Sequence, residues 1–215
     1  MVSSEIPRFP LLVVFSGPSG VGKDTVIQAV KASGFDIHHV VTCTTRPRRP
    51  NETDGEDYYF VSPEKFADMI ARNELLEYAD VHGYRYGTPL NEVRLAHGRG
   101  HDALLKIDVQ GGLQVKRRLP QAVFVFLAPP SPGELLTRLH SRNTESPEEL
   151  ERRTADARFE LNQRNSYDYV IVNQPGNVEE AAHQLKSIIT AEKLRIHRQP
   201  IDIGRTEDRM LTHGR

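Results

Sequence analysis

The apolar run Leu11-Leu12-Val13-Val14-Phe15 ends at Ser16 and leads into Gly17-Pro18-Ser19-Gly20-Val21-Gly22-Lys23. Residues 23–32 then carry Val26, Ile27 and Val30 on one side at helical spacing, and Ser33-Gly34 stops them. This order of buried strand, glycine loop and helix constrains the fold more than any other feature of the chain. A continuous apolar run predicts a strand covered on both faces, the usual state of a parallel sheet. The glycines let the backbone curl so that successive N–H groups point inward. The helix that follows adds the positive end of its dipole, and Lys23 adds a point charge, which together suit a polyphosphate. The alternative is a glycine-rich turn with a surface lysine; the strand before it and the helix after it favour the phosphate cradle.

One position departs from the loop pattern. The residue after the lysine is ordinarily Ser or Thr, whose hydroxyl ligates Mg²⁺; here it is Asp24, followed by Thr25. A carboxylate can hold Mg²⁺, but it also brings negative charge close to the phosphates. Asp24 is therefore a candidate metal ligand, and the loop speaks more firmly for nucleotide phosphate than for the metal.

The rest of the chain continues the alternation of short β-rich runs and helical patterns expected of a parallel sheet with crossover helices. Residues 38–43, 103–108, 123–128 and 169–172 are the further expected strands, with a helix over 111–118. A stretch near 44–98, rich in Arg, Tyr, Asp and Glu, interrupts the plan as an inserted α/β segment. A second, near 141–165, is dense in charge. Ser146-Pro147-Glu148-Glu149 opens its helix, with Ser as cap and Pro at the first helical position, and Leu150, Ala157 and Leu161 form its stripe. Asn177 and Glu180 open a last helix with Val178, Ala181, Ala182, Leu185, Ile188 and Ile189 on its buried face. After about residue 193 the chain is polar and aperiodic, and is expected to be poorly ordered unless it docks on a partner.

Charge narrows the function classes. Lys and Arg number 28 against 29 Asp and Glu, a net charge of −1 in 215 residues, so a general nucleic-acid or anionic-membrane binder is not expected. The longest apolar runs fall far short of the ~18–20 residues that span a bilayer. The N-terminal residues show no secretory signal, and the lone Cys43 can form neither an internal disulfide nor a cysteine metal cluster. The expectation is a cytoplasmic protein acting on small-molecule nucleotides.

Several further motifs stand in order along residues 11–193. They are Thr44-Thr45-Arg46-Pro47-Arg48-Arg49-Pro50, Glu52, Asp54-Gly55, Asp57-Tyr58-Tyr59-Phe60-Val61-Ser62, Glu74-Leu75-Leu76-Glu77, Tyr86-Gly87-Thr88, Ile107-Asp108-Val109-Gln110-Gly111, Ala128-Pro129-Pro130-Ser131, Arg142-Asn143-Thr144-Glu145 and Val170-Ile171-Val172-Asn173. Together they resemble guanylate kinases. The resemblance implies a P-loop NTPase-type parallel α/β sheet flanked by helices, with an inserted mixed α/β monophosphate-binding segment and a helical lid. It divides the chain into a core (11–43, 99–140 and 166–193), a GMP-binding segment (44–98), a lid (141–165) and a tail (194–215). The implied reaction is ATP + GMP to ADP + GDP, with Mg²⁺.

Residue by residue, Gly17 to Asp24, Thr25 and Asn173 match the ATP side, and Asn173 either lies near the adenine or caps the chain. Thr42, Arg46, Arg49, Tyr58, Glu77, Tyr86, Thr88 and Asp108 match the GMP side. Arg46 and Arg49 offer forked guanidinium groups that suit phosphate oxygens; outside this context Arg-Pro-Arg-Arg-Pro would read as a solvated basic loop. Guanine presents two adjacent donors, N1–H and its exocyclic amine, which one carboxylate can accept, and Glu77 stands where the family uses one. Thr42 stands where serine is common. Glu77 could otherwise be a surface charge and Asp108 a strand-end cap. Lys23, Arg138, Arg142 and Arg153 match the catalytic cations, with Arg152 and Arg164 less well aligned; arginines on a charged helix are otherwise solvent-facing. No general base is needed, because the attacking phosphate oxygen is already anionic, and His38 and His39 read as structural.

A second departure is Lys106, where guanylate kinases usually carry an acid. This strand end should lie beside Asp24, so the two changes are expected to be coupled, with Lys106 offsetting Asp24. Within the same fold, ribose 1,5-bisphosphate phosphokinases share Gly-Lys-Asp, but they would not need Glu77 and Thr88. A non-catalytic module of the same fold would not need Lys23.

Overall fold

The computed structural model describes residues 9–81, 83–140, 147–196 and 198–204, with the backbone alone described at 136, 138–140 and 147–153. Strand β1 (Leu12–Ser16) is the middle of a five-stranded sheet, with β7 (Ala103–Lys106) and then β2 (His38–His39) on one side. On its other side are β8 (Val123–Ala128) and β9 (Tyr169–Val172). All of these pairings are parallel, as the continuous apolar runs predict.

The two faces of β1 sort its side chains by period 2. Leu11, Val13 and Phe15 pack with Val26, Ile27 and Val30 of α1 (Lys23–Ala32) and with Ala181, Ala182, Leu185 and Ile189 of α7 (Val178–Lys193). Leu12 and Val14 pack on the opposite face. Their neighbours there include Leu90, Val93 and Ala96 of α3 (Leu90–Gly98) and Val115 of α4 (Val109–Arg118).

The expected strand over 38–43 divides in two. His38 and His39 pair with β7, but Cys43 and Thr44 form β3 of a second sheet ordered β4-β3-β6-β5, in which β4 is Tyr59–Phe60, β5 is Leu75–Val81 and β6 is Tyr84–Pro89. The division has a local cause: the backbone of Val40 still bonds Leu104, while Thr42 and Thr44 already accept from Tyr59 and Val61, and the Cys43 thiol donates to the Gly87 carbonyl. The chain thus crosses from one sheet to the other within four residues, and the second sheet begins at Cys43, one residue before the expected segment boundary. Between β4 and β5 lies α2 (Pro63–Ala71), capped by Ser62, whose side chain accepts from the Lys65 N–H.

After β8 the chain forms α5 (Pro132–His140) and then α6 (Pro147–Asn162). Helix α6 begins at Pro147 as its sequence predicts; the cap residue Ser146 lies outside the described residues. Of the tail expected to be poorly ordered, residues 198–204 lie against the core, and 205–215 lie outside the described residues. Arg198 bonds the buried Glu192, Ile201 and Ile203 pack against the core, and Arg94 donates to the carbonyls of Ile203 and Gly204. Among the described residues no helix is long and apolar enough to cross a membrane.

Candidate active site

A cleft of about 770 Å³ opens where the C-terminal ends of β1 and β7 face the second sheet and α6, the usual ligand position in an open parallel sheet. Of the residues singled out in the sequence, Ser19, Lys23, Asp24, Thr42, Arg46, Arg49, Tyr58, Glu77, Tyr86 and Asp108 line it together. They come from three separate parts of the chain, so it is the fold that assembles them.

On one side is the glycine loop. Gly22 caps α1 at φ 100°, a left-handed conformation that side chains rarely adopt, and a Cβ there would lie 2.5 Å from the Asn173 amide nitrogen. That amide donates to the Val21 carbonyl at 2.8 Å. Asn173 is therefore buried beneath the loop and braces it, while Val21 points into the core. The Lys23 ammonium donates to the Gly17 carbonyl at 2.5 Å and to the Pro18 carbonyl at 3.2 Å. Burial pulls its pKa down, against the opposing pull of Glu160, Asp108 and Asp24. Thr25 is exposed on α1 and is not among the residues lining the cleft.

On the other side is a cationic and aromatic group. Arg46 donates to Glu52 at 2.7 Å and lies over the rings of Tyr58 and Phe60. Burial opposes its charge, but hydrogen bonds to Glu52 and Tyr86 outweigh that and raise its pKa. The second Glu52 oxygen accepts from the Arg49 N–H at 2.8 Å, so one carboxylate folds the 46–52 turn and orients Arg46. Tyr58 and Tyr86 meet edge to face at 5.9 Å.

Between these sides lies a buried acid. Glu77, on β5, is 2% exposed, and its Oε1 accepts from the Thr88 hydroxyl at 2.6 Å. A Cβ on Gly111 would come within 2.4 Å of its Oε2, so a glycine at 111 is what lets α4 approach the carboxylate. Burial pushes the Glu77 carboxyl up to about 8, with nearby Asp108 adding to the effect and Thr88 opposing it. Asp108 is both an N-cap and a cleft residue: its side chain accepts from the Gly111 N–H at 2.9 Å. Thr88 is fully buried behind Glu77.

The coupling expected of Asp24 and Lys106 is present: Lys106 Nζ donates to Asp24 Oδ1 at 2.6 Å. Burial opposes the charge on Lys106, but Tyr58 and Asp24 outweigh it and raise the pKa. The sequence reading missed Glu160, on α6, which accepts from the Ser19 N–H of the loop at 3.2 Å; Asp156 and Phe159 of the same helix also line the cleft. Of the arginines, Arg164 is exposed and does not line the cleft. Arg138, Arg152 and Arg153 lie on α5 and α6 where only the backbone is described, and Arg142 lies outside the described residues.

The family model described as guanylate kinase matches residues 10–192. The chain belongs to the guanylate kinase family. It is 47% identical over 190 residues to a guanylate kinase of Desulfitobacterium hafniense, covering 88% of this chain and 94% of that one. Against guanylate kinase 2, chloroplastic/mitochondrial, of Oryza sativa subsp. japonica it is 46% identical over 198 residues, covering 92% of this chain and 70% of that one. The crystal structure of the guanylate kinase from Anaplasma phagocytophilum superposes with a TM-score of 0.72 at 31% identity, covering 90% and 92% of the two chains.

Proposed function

We propose that this guanylate kinase transfers the γ-phosphate of ATP to GMP, giving ADP and GDP, in a cytoplasmic setting. The observation that carries the proposal is the buried Glu77–Thr88 acid facing the same cleft as the Lys23 loop. A base reader and a phosphate cradle in one cavity serve two nucleotides, whereas a sugar bisphosphate has no base for Glu77 to read. The loop N–H groups and Lys23 hold the ATP phosphates, with Asn173 bracing the loop from below. Arg46, Arg49, Tyr58 and Tyr86 hold the GMP phosphate. Glu77, with Thr42, Thr88 and Asp108 around it, accepts from guanine; adenine would leave the acid unpaired, which discriminates by roughly 10⁴-fold.

Phosphoryl transfer asks the protein mainly for positioning and charge. Arg138, Arg142 and Arg153 close over the transferring group and exclude water. The proposal includes the division into a core, an acceptor-binding segment over 44–98 and a lid over 141–165. Mg²⁺ fits the donor side as an ion arriving on the polyphosphate. Asp24, 80% exposed in its side chain, is a hard oxygen donor next to Lys23, and no group of three His, Cys, Asp or Glu among the described residues would bind a metal by itself. When bound, the ion neutralises charge between the β- and γ-phosphates.

ADP release measured in parallel with GMP, AMP, UMP, CMP and ribose 1,5-bisphosphate as acceptors tests the proposal. Turnover with GMP alone is expected. Preference for the sugar bisphosphate, or for AMP, would overturn it.

A further inference from the structure

Lys106 ends β7 in register with Phe15 of β1, so its side chain leaves the sheet at the same edge as the phosphate loop. Its ammonium lies 2.6 Å from Asp24 Oδ1 and 5.1 Å from the centre of the Tyr58 ring. Asp24 follows Lys23 and belongs to the ATP side. Tyr58, packed against Arg46 and Tyr86, belongs to the GMP-phosphate side. One ammonium therefore reaches both halves of the cleft.

Stability does not account for this placement. The Asp24 side chain is 80% exposed and that of Lys106 26%; an ion pair with one partner so open to solvent contributes little to folding. Asp24 could also be balanced by a lysine that pointed away from the acceptor side, whereas this one lies over the Tyr58 ring and lines the cleft beside Asp108. A lysine ammonium has three donors on a flexible stem, so it can keep Asp24 and still reach a phosphate oxygen.

We propose that Lys106 is a binding residue for the monophosphate of the acceptor, steadied by Asp24 and the Tyr58 ring between the two nucleotides. The inference rests on the guanylate kinase reading of the cleft. It adds a cation at the junction of the two phosphate sites, where the acceptor's negative charge must approach the donor's.

Calorimetric titration of GMP and of guanosine, each without ATP or metal, tests it in the wild type and in Lys106→Met, Lys106→Arg, Asp24→Asn and the Asp24→Asn/Lys106→Met double variant. The readout is the ratio of GMP affinity to guanosine affinity, which isolates the phosphate. Losing a charge-assisted hydrogen bond should lower that ratio about 10- to 100-fold in Lys106→Met. Lys106→Arg should stay near wild type, Asp24→Asn should not lower the ratio, and the double variant should remain as low as Lys106→Met. An unchanged ratio in Lys106→Met overturns the proposal. So does recovery in the double variant, which would mean that Lys106 only neutralises Asp24. Should Lys106→Met fail to fold, Lys106→Gln replaces it: a ratio lowered about 10- to 100-fold supports the proposal, and an unchanged ratio overturns it. A wild type that binds neither GMP nor guanosine would instead sink the guanylate kinase reading itself.

Discussion

Titrating GMP into the protein between pH 7 and pH 9 probes the buried acid directly. Without ligand the Glu77 carboxyl titrates near 8, because burial and Asp108 both favour its neutral form. Guanine presents two donors, so binding requires the carboxylate. GMP must therefore lower the pKa and expel a proton, and affinity must rise with pH until the free acid is ionised. If only the ionised form binds, the apparent Kd exceeds its limiting value by about 11-fold at pH 7, about 2-fold at pH 8 and hardly at all at pH 9. The GMP phosphate, with a second pKa of about 6, is mostly dianionic throughout that range and adds little to the trend. Calorimetry in two buffers of different ionisation enthalpy should show about 0.9 proton released per GMP bound near pH 7. The Glu77→Gln variant should bind GMP more weakly, with no pH trend and no proton release. A wild-type Kd that is flat from pH 7 to pH 9, or binding without proton release, would refute the reasoning.

The same acid shapes stability. Because its folded pKa lies above its unfolded one, Glu77 contributes most below the ordinary glutamate pKa and loses that contribution as pH rises through about 8. Ligand-free Glu77→Gln should therefore gain on wild type as pH rises from 6 to 8, by about 2–3 kcal/mol or about 5–10 °C in Tm; a gap that does not change with pH would contradict this. Gly111→Ala would push a methyl against Glu77 Oε2. Steady-state kinetics should show KM for GMP rising about 10- to 100-fold with KM for ATP nearly unchanged, since overpacking of this kind costs about 1–3 kcal/mol. Asn173→Ala removes the brace on the Val21 carbonyl and should do the reverse, raising KM for ATP about tenfold while sparing GMP. Arg198→Ala should lower Tm by about 5–10 °C, because Glu192, 3% exposed, loses one of the two arginines that pair with it; an unchanged melt would mean that Arg198 contributes nothing.

What could be read from the sequence depended on how locally each feature is encoded. The strand, glycine loop and Lys23 occupy adjacent positions and share one mechanism, so they were legible without the fold. Glu77 was legible only through its motif; nothing local separates it from Glu74, and its burial is supplied by Thr88 and Gly111, at distant positions in the chain. The Asp24–Lys106 pairing could be foreseen only through the resemblance, because in phosphate-loop folds this strand end lies beside the residue after the loop lysine; in the structure β7 pairs with β1. Glu160 could not: it is one acid among many on a charged helix, and its partner Ser19 is 141 residues away. The split of 38–44 between two sheets escaped the pattern because an apolar run shows burial but not which sheet it joins. The described part of the tail looked unanchored because it docks through single contacts (Arg198, Ile201 and Ile203) that have no periodicity.

The central claim is that one cleft holds both nucleotides, phosphate to phosphate. A ligand joining adenosine and guanosine through a chain of phosphates measures this most directly. The account predicts competition against both ATP and GMP, with affinity well above that of either nucleotide alone. Competition against only one of them, at the affinity of the corresponding single nucleotide, would contradict it.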